Sequence, residues 1–284
     1  MTTPPVTTGS WRGVLAPPDV ANLISLLIGG SPFARSLTQY PTTRAEVAFP
    51  TASPDRPAWV SEAGTIPVIG LNDDADIVAV RKLAELLKMS NESIQDTSVN
   101  LTTQVAALLR DSSGPELDRG LLYGSLPTEP RGVIPSVQAV DSADLAGAIT
   151  TAIGVIGNAG GTATTIAAKP SLFAEQRNVK ATGSGEFLYP LGLGAQFGLA
   201  EVGVPELADC LVYDASRLYL IARTTDFAVD TSQDYFFDSD SAAIRVRGRF
   251  AVGMPVPLKA ARKITVAGVA PLGLPDAKAS GGKR

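Results

Sequence analysis

Residues 88–135 read KMSNESIQDTSVNLTTQVAALLRDSSGPELDRGLLYGSLPTEPRGVIP, and the first half of this stretch predicts the longest helix of the chain. Ser90 is a good N-cap, and Glu92 would lie in the first turn, where the helix dipole favours a negative charge. The apolar residues that would form one face of this helix are Ile94, Leu101, Val105 and Leu108. A helix from Ser90 to Asp111 would be roughly 30 Å long at about 1.5 Å per residue, which is long for a domain of this size.

The same stretch also contains turn signals. The run from Ser112 to Pro115 predicts that the long helix ends before it. A second, short helix is expected from Pro115 to about Tyr123, closed by Gly124. Further along, a helix is predicted from Ser142 to about Asn158, with Asp141 or Ser142 as its cap.

Upstream of this stretch, residues 44–77 predict a projecting hairpin. Residues 46–49 alternate as a strand does, and the proline-rich segment PTASPDRPAWVSEAGTIPV (50–68) follows, with Trp59 in its middle. A large aromatic side chain on a proline-stiffened loop is more often a packing anchor than a substrate-stacking residue. On a long projection, such an anchor is expected to pack in another subunit.

Residues 1–45 have the composition of an arm. Prolines interrupt it and leave room for one short helix, with Leu23, Leu26 and Leu27 on its apolar face and Gly29 and Gly30 at its end. So small an apolar unit must dock, either on its own chain or on a neighbour. No basic region precedes an apolar run here, so we expect no secretory peptide.

The last third of the chain, from Asp226 to Val266, is rich in strand patterns. AIRVRGRFAVGMPV (243–256) places Arg245, Arg247 and Arg249 on one face of a strand. Three neighbouring guanidinium groups repel one another unless carboxylates meet them. Two interpretations remain open: a solvent face, or a strip of ion pairs between subunits.

Composition excludes several classes of function. The chain has 284 residues, a net charge of −4 and no histidine, so Ser-His-Asp and Cys-His catalysis and most zinc sites are excluded. The net negative charge argues against a protein whose main function is to bind nucleic acid. Cys210, the single cysteine, lies in a Leu/Val run and is expected to be buried. The longest apolar run is about 11 residues, too short for a membrane span of roughly 20, so we expect no membrane partner.

Two segments resemble ligand-binding motifs, one for a dinucleotide and one for calcium, but neither has the residue pattern that the motif requires. The glycines between Gly192 and Gly198 lack the spacing of a dinucleotide turn. Acidic residues cluster near Asp74 and between Asp226 and Asp240, without the residue order of a calcium loop. We therefore expect no metal site, no cofactor site and no catalytic residues.

The order of these parts resembles the major capsid proteins of tailed bacteriophages with the Hong Kong 97 fold. The stretch 88–135 is similar to their spine-helix region, through Ser90, Asn91 and Glu92, the amphipathic helix, and the later Gly132-Val133-Ile134. Three further segments resemble the axial domain, its return strand and the arginine-rich peripheral strands: AAKPSLFAEQRNVKATGSGEFLYP, LVYDASRLYLIARTTDFAV and FFDSDSAAIRVRGRFAVGMPVPLKAARKITV. The resemblance covers roughly residues 45–266.

The resemblance implies an α+β capsid fold with several named regions. These are an N-terminal arm (1–45), an extended E-loop (46–76), a peripheral domain with the spine helix (77–129), an axial domain (130–225), peripheral return strands (226–266) and a C-terminal tail (267–284). It also implies pentamers and hexamers of this chain that close into an icosahedral shell around double-stranded DNA. Such shells are assembled in the cytoplasm of the bacterial host, and scaffolding, portal and decoration proteins are possible partners.

Two features depart from the family pattern. AVRKLAELLK (79–88) has helical propensity, whereas the family runs an extended strand into the spine helix, and we follow the family. In some members of the family, an isopeptide bond from an E-loop lysine joins subunits covalently. The first lysine here is Lys82, which follows the E-loop, so we expect no such crosslink. Packing of Trp59, ion pairs from Arg56 and Glu62, and the arm are expected to hold neighbours instead.

Two alternatives remain. An encapsulin, a cargo-enclosing compartment with the same fold, differs in what the shell contains. A carboxylate-dependent enzyme would need two convergent acidic residues in one pocket, and the sequence does not identify them.

Overall fold

Two five-stranded sheets and one two-stranded hairpin form the framework of the computed structural model. The structure describes residues 27–50, 58–66, 75–90, 101–142, 144–181 and 185–266. Ser90, predicted to cap the long helix, is instead the last residue of a strand. Residues 91–100, predicted to form the first turns of that helix, lie outside the described residues.

The described helices and strands alternate along the chain. The helices are α1 (Pro32–Ser36), α2 (Leu101–Tyr123), α3 (Val133–Ser136), α4 (Leu145–Asn158), α5 (Pro170–Arg177), α6 (Leu193–Gln196) and α7 (Pro257–Ala260), with short 3₁₀ turns at Thr224–Asp226 and Phe237–Ser239. The strands are β1 (Thr38–Thr42), β2 (Glu46–Pro50), β3 (Ala75–Ala79), β4 (Arg81–Ser90), β5 (Ala139–Ser142), β6 (Thr165–Ala168), β7 (Ala200–Gly203), β8 (Cys210–Tyr213), β9 (Tyr219–Arg223), β10 (Ala228–Phe236), β11 (Ser241–Gly253) and β12 (Ala261–Val266).

The first sheet is built around the long strand β11. Strand β4 pairs antiparallel along one edge of β11, while β10 and β9 share the other edge, and β1 pairs parallel to β9. Alternate residues of β11, including Ile244, Val246 and Phe250, belong to a buried apolar cluster that also contains Leu117 and Leu121 of α2. The opposite face of β11 carries the three arginines, as the sequence pattern predicted.

Residues 81–90 form strand β4. The strand expected from the family is therefore confirmed, although the segment has helical propensity. Ten residues of β4 pair with β11, which satisfies their backbone groups outside a helix. Leu83 and Leu87 alternate onto the apolar cluster beneath the sheet. Pairing and burial of a strand outweigh a propensity difference of a few tenths of a kcal/mol per residue.

The second sheet has the strand order β5, β12, β8, β6, β7, and α4 packs on it. Strand β9 lies in the first sheet and β12 in the second, so the chain crosses between the sheets twice in its last third. The sequence-based division assigned β9 to the axial domain and β12 to the peripheral return strands. The domain boundaries themselves stay a prediction, but the pairing of β12 with β8 and β5 joins residues 261–266 to the other sheet.

The predicted break at residues 112–115 was wrong, because α2 runs without interruption from Leu101 to Tyr123 with Pro115 inside it. The turn-forming residues serve as contacts instead. Ser112 and Ser113 donate hydrogen bonds of 2.7 and 3.0 Å to the Glu85 carboxylate on β4. A Cβ at Gly114 would lie 2.2 Å from the carbonyl oxygen of Gly30, so glycine allows the helix to cross the arm at close range. The predicted end at Tyr123, before Gly124, is confirmed.

The cap of α4 also differs from the prediction. Asp144, rather than Asp141 or Ser142, is the N-cap, and its side chain accepts a hydrogen bond from the backbone N–H of Gly147. Asp141 and Ser142 end strand β5, which pairs with β12. The helix therefore begins at Leu145, three residues after the predicted Ser142, because residues up to Ser142 pair in the strand.

Candidate assembly surfaces

The base of the predicted hairpin is anchored on the outer face of the first sheet. Strands β2 and β3 pair antiparallel, as predicted, from Glu46 with Ala79 to Pro50 with Ala75. A small buried cluster joins the hairpin base to the sheet: Val47, Val78, Val80, Ile221 and Ala251. The Phe49 ring stacks on Tyr219 with ring centroids 5.6 Å apart, and it lies so close to Gly253 that a Cβ there would meet it at 2.5 Å.

A bidentate ion pair further fixes the hairpin. Arg131 lies just before α3, and its guanidinium donates hydrogen bonds to both carboxylate oxygens of Asp76, at 2.8 and 2.6 Å. Asp76 is one member of the first acidic cluster in the sequence, and its partner is therefore an arginine of the same chain. Paired N–H donors of this kind restrict orientation as well as distance.

The described tip of the hairpin, residues 58–66, presents apolar side chains to solvent. Trp59 is 104% exposed, and Ile66 is 77% exposed. A turn closes the tip, with a hydrogen bond of 2.8 Å from the Gly64 N–H to the Ser61 carbonyl. Glu62 is also exposed, while Arg56 lies outside the described residues. An indole that the described residues of its own chain leave uncovered is available for contact with another molecule.

The arginines of β11 form ion pairs with carboxylates of the same chain. Arg245 lies 2.7 Å from Asp230, and Arg249 lies 2.7 Å from Asp226. Arg247 is more loosely held, at 3.7 Å from Asp230. The strip is solvent-exposed and ion-paired within the chain; the intersubunit role considered from the sequence stays a prediction. Asp226 and Asp230 are four residues apart, as are Arg249 and Arg245, and this matching spacing was the sequence signal that could have identified the partners.

The arm docks on its own chain at a buried carboxylate that sequence reasoning missed. Asp118 on α2 is 1% exposed and accepts hydrogen bonds from the Ser31 hydroxyl and from the backbone N–H groups of Phe33 and Ala34, the latter two at 3.4 and 3.3 Å. Phe33 is fully buried beside the Tyr213 ring. An acidic residue between Leu117 and Leu121, on the apolar side of the helix, was the available signal.

Burial gives this carboxylate an unusual affinity for protons. Desolvation raises the pKa of Asp118 to about 6, against the lowering effect of its three hydrogen bonds, and the carboxylate of Glu206 adds to the rise. In the folded chain the neutral form therefore predominates only below about pH 6. The nearby Tyr213 hydroxyl also has a raised pKa, mainly through burial, so it stays neutral over the same pH range.

We expect Asp118 to make the chain less stable as the pH rises. Because the folded pKa lies about two units above the value of 3.8 in the unfolded chain, the carboxyl's contribution is complete below about pH 4 and is lost as the pH passes 6. The loss amounts to at most about 3 kcal/mol. Asp118→Asn, which cannot ionise, should raise the melting temperature relative to the wild type by more at pH 7.5 than at pH 4.5. Equal differences at both pH values would contradict the assignment.

The glycine run near Gly192 is used for packing against an acidic side chain. The Glu201 carboxylate accepts a hydrogen bond of 2.8 Å from the Gly194 N–H and pairs with Arg177 at 3.1 Å. Cys210 is buried, as predicted, and burial raises its thiol pKa to about 12. Within the described residues, no three acidic or cysteine side chains are grouped to hold a metal ion. In the same part of the chain, no helix combines the length and apolarity needed to cross a bilayer.

A chain with an anchored projection, an exposed indole at its tip and a docked arm is built for contacts with other protein molecules. Comparison with protein families agrees with this class: the model of the phage capsid family matches residues 12–265. The chain belongs to the phage capsid family, and it is a structural protein of the capsid shell. A comparison with curated protein sequences finds no match.

Solved structures show the same fold. The chain of Mycobacterium phage Cain aligns with a TM-score of 0.68 and 20% identity over 85% of this chain and 92% of that chain. The chain of Mycobacterium phage Adephagia gives the same TM-score and identity over 91% of this chain and all of the other. A structure described as the capsid of an empty GTA particle, computed with C5 symmetry, aligns with a TM-score of 0.65 and 13% identity over 93% and 95% of the two chains. The expected Hong Kong 97-like fold class is therefore confirmed.

Proposed function

We propose that this major capsid protein assembles into pentamers and hexamers that close into an icosahedral shell around the double-stranded DNA of a tailed bacteriophage. Assembly takes place in the cytoplasm of the bacterial host, and scaffolding, portal and decoration proteins are further partners. The single observation that supports contact between copies is the anchored hairpin with Trp59, 104% exposed, at its tip. Burial of such a side chain stabilises an interface strongly.

The proposed regions follow the family. The E-loop (46–76) is the projecting hairpin, and the peripheral domain (77–129) carries β4 and the spine helix α2. The axial domain (130–225) contains α4 and most of the second sheet, and residues 226–266 add β10, β11 and β12. The arm (1–45) reaches α2 through Ser31, and residues 267–284 form the tail.

The test is to express the chain alone and to examine it by light scattering and negative-stain microscopy. Hexamers, pentamers or closed shells of uniform size would support the proposal. Double-stranded DNA inside particles from infected cells would support the virion over a cargo-enclosing compartment of the same fold. A chain that stayed monomeric even with the other capsid proteins of its phage would contradict the proposal.

We expect the assembled shell to contain no covalent bond through the E-loop. Residues 46–76 include no lysine, so no ε-amine is present there to attack a neighbour's side chain. Purified particles boiled in detergent should give one band at the mass of the chain, 29.4 kDa, on a denaturing gel. A ladder of covalent oligomers under reducing conditions would refute this expectation.

A further inference from the structure

Residues 27–37 of the arm dock on α2 and the core beside it mainly through apolar contacts. The buried apolar side chains of this segment are Leu27, Ile28, Phe33, Ala34 and Leu37. They belong to the same apolar cluster as Leu117 and Leu121 of α2. None of these side chains ionises, so any control of the docking by pH must come from the polar groups in the contact.

The polar part of the contact converges on Asp118. Its carboxylate accepts hydrogen bonds from the Ser31 hydroxyl and from the backbone N–H groups of Phe33 and Ala34. All three donors belong to the arm. Ser31 also caps α1, by accepting a hydrogen bond of 3.1 Å from the Ala34 N–H. Separation of the arm from α2 would therefore take these three hydrogen bonds away from Asp118 together.

Among the described residues, no cation compensates the Asp118 carboxylate. The titratable groups on the elements around it are Glu206, Tyr213, Arg119 and Arg35. The negative charge of Glu206 disfavours ionisation, and the Tyr213 hydroxyl is neutral. The guanidinium of Arg119 pairs with two glutamates instead, while Arg35 is exposed. Ionisation therefore creates a buried charge near a second carboxylate, with hydrogen bonds from the arm as its stabilising contacts.

The arm crosses α2 so closely that no side-chain atom fits between the two backbones. A Cβ at Gly30 would lie 2.0 Å from the carbonyl oxygen of Arg110, and a Cβ at Gly114 would lie 2.2 Å from the carbonyl oxygen of Gly30. Asp118 itself is 1% exposed. An ionised carboxylate can therefore regain its hydration only if the arm moves away from the helix.

We infer that Asp118 is a proton-controlled latch for the arm: residues 27–37 dock most tightly on α2 while the carboxyl is protonated, and its ionisation weakens the docking so that the arm opens before the rest of the chain unfolds. The inference concerns the single chain, so it does not depend on the proposed assembly. It differs from a purely structural role for Asp118, because a structural hydrogen-bond acceptor would hold the arm equally at every pH.

Hydrogen exchange of the full-length, unassembled chain, followed by mass spectrometry, tests the latch. A peptide covering residues 27–37 reports on the arm, and one covering residues 145–158 reports on α4, whose buried face packs on the second sheet. Protection factors are compared, because they remove the intrinsic effect of pH on exchange. The arm should be less protected than α4 at pH 7.5, since it opens without global unfolding. Between pH 4.5 and 7.5 its protection should fall about thirtyfold, the factor implied by a pKa of 3.8 in the open arm and about 6 in the docked arm.

Three variants isolate the carboxyl group. Asp118→Asn cannot ionise, so the protection of its arm should be nearly the same at both pH values. Glu206→Gln removes a neighbouring negative charge and lowers the pKa of Asp118, so the fall in protection should be smaller than in the wild type. Asp111→Asn, at an exposed position of the same helix, is the matched control and should keep the wild-type response.

The opposite results overturn the inference. Equal protection of the arm and α4 would show that the arm leaves α2 only when the whole chain unfolds. A fall in Asp118→Asn as large as in the wild type would assign the pH dependence to another group, and so would a larger fall in Glu206→Gln. Should Asp118→Asn not fold, the wild-type series decides alone, because an arm whose protection does not change with pH has no proton-controlled latch.

Discussion

Trp59→Ala should abolish shell assembly at concentrations where the wild-type chain assembles fully, while leaving the folded chain as stable as before. The side chain is 104% exposed among the described residues, so its removal leaves no cavity in that part of the fold. An aromatic anchor in an interface typically contributes about 2 kcal/mol or more. That corresponds to roughly a thirtyfold weaker contact between each pair of copies. Because a shell contains many copies and the contact recurs between them, the effect on assembly is larger than on one pair.

The measurement is the assembly threshold by light scattering, together with the melting temperature of the unassembled chain. Trp59→Phe keeps an aromatic ring of smaller area and should give an intermediate threshold. A Trp59→Ala chain that assembles at the wild-type threshold would show that the hairpin tip is not an anchor. A large fall in its melting temperature would show that the indole packs within its own chain.

Gly114→Ala should destabilise the chain by about 3 kcal/mol, at the upper end of the range for overpacking. The new Cβ would lie 2.2 Å from the carbonyl oxygen of Gly30 and 2.4 Å from its carbonyl carbon. These are backbone atoms, so no side-chain rotation can relieve the clash, and the arm must separate from α2. For a chain of this size, the melting temperature should fall by roughly 6 to 12 °C.

Gly154→Ala is the matched control for this substitution. Gly154 lies within helix α4, is exposed, and has no atom within 4 Å of the position that a Cβ would take. Alanine should therefore stabilise that helix by about 0.5 to 1 kcal/mol. If both substitutions changed the melting temperature in the same direction and by the same amount, the close contact between Gly114 and Gly30 would not exist in solution.

The sequence predicted those parts of the fold in which local pattern and tertiary environment agree. The alternation along β11 and the hairpin from Glu46 were identified because one face of each is buried and the other is not. The strand β4 was predicted only through the family, because its leucines and lysines favour a helix until β11 is present to pair with them.

The misses come from contacts that no local pattern shows. Residues 112–115 resemble a helix stop. In the folded chain, however, the two serines donate hydrogen bonds to Glu85, and Gly114 packs closely against Gly30. The crossing of β12 into the second sheet depends on pairing with β8, some 50 residues earlier in the chain. Such non-local pairings are set by the whole fold rather than by the segment.

The candidate surfaces were predicted unevenly for the same reason. Trp59 was predicted as an intersubunit contact because a tryptophan among prolines on a projection has few partners nearby; it is exposed, and its intersubunit role stays a prediction. The three arginines were identified as a strip, but their partners Asp226 and Asp230 become neighbours only when β10 pairs with β11. Asp118 was missed because its donors lie more than 80 residues away, on the arm.

A cryo-electron microscopy reconstruction of particles assembled from this chain tests the proposed assembly most directly. We expect an icosahedral shell of pentamers and hexamers in which each hairpin tip leaves its own copy and Trp59 is buried against a neighbouring copy. Particles in which the hairpin folds back on its own chain and Trp59 stays in solvent would contradict it.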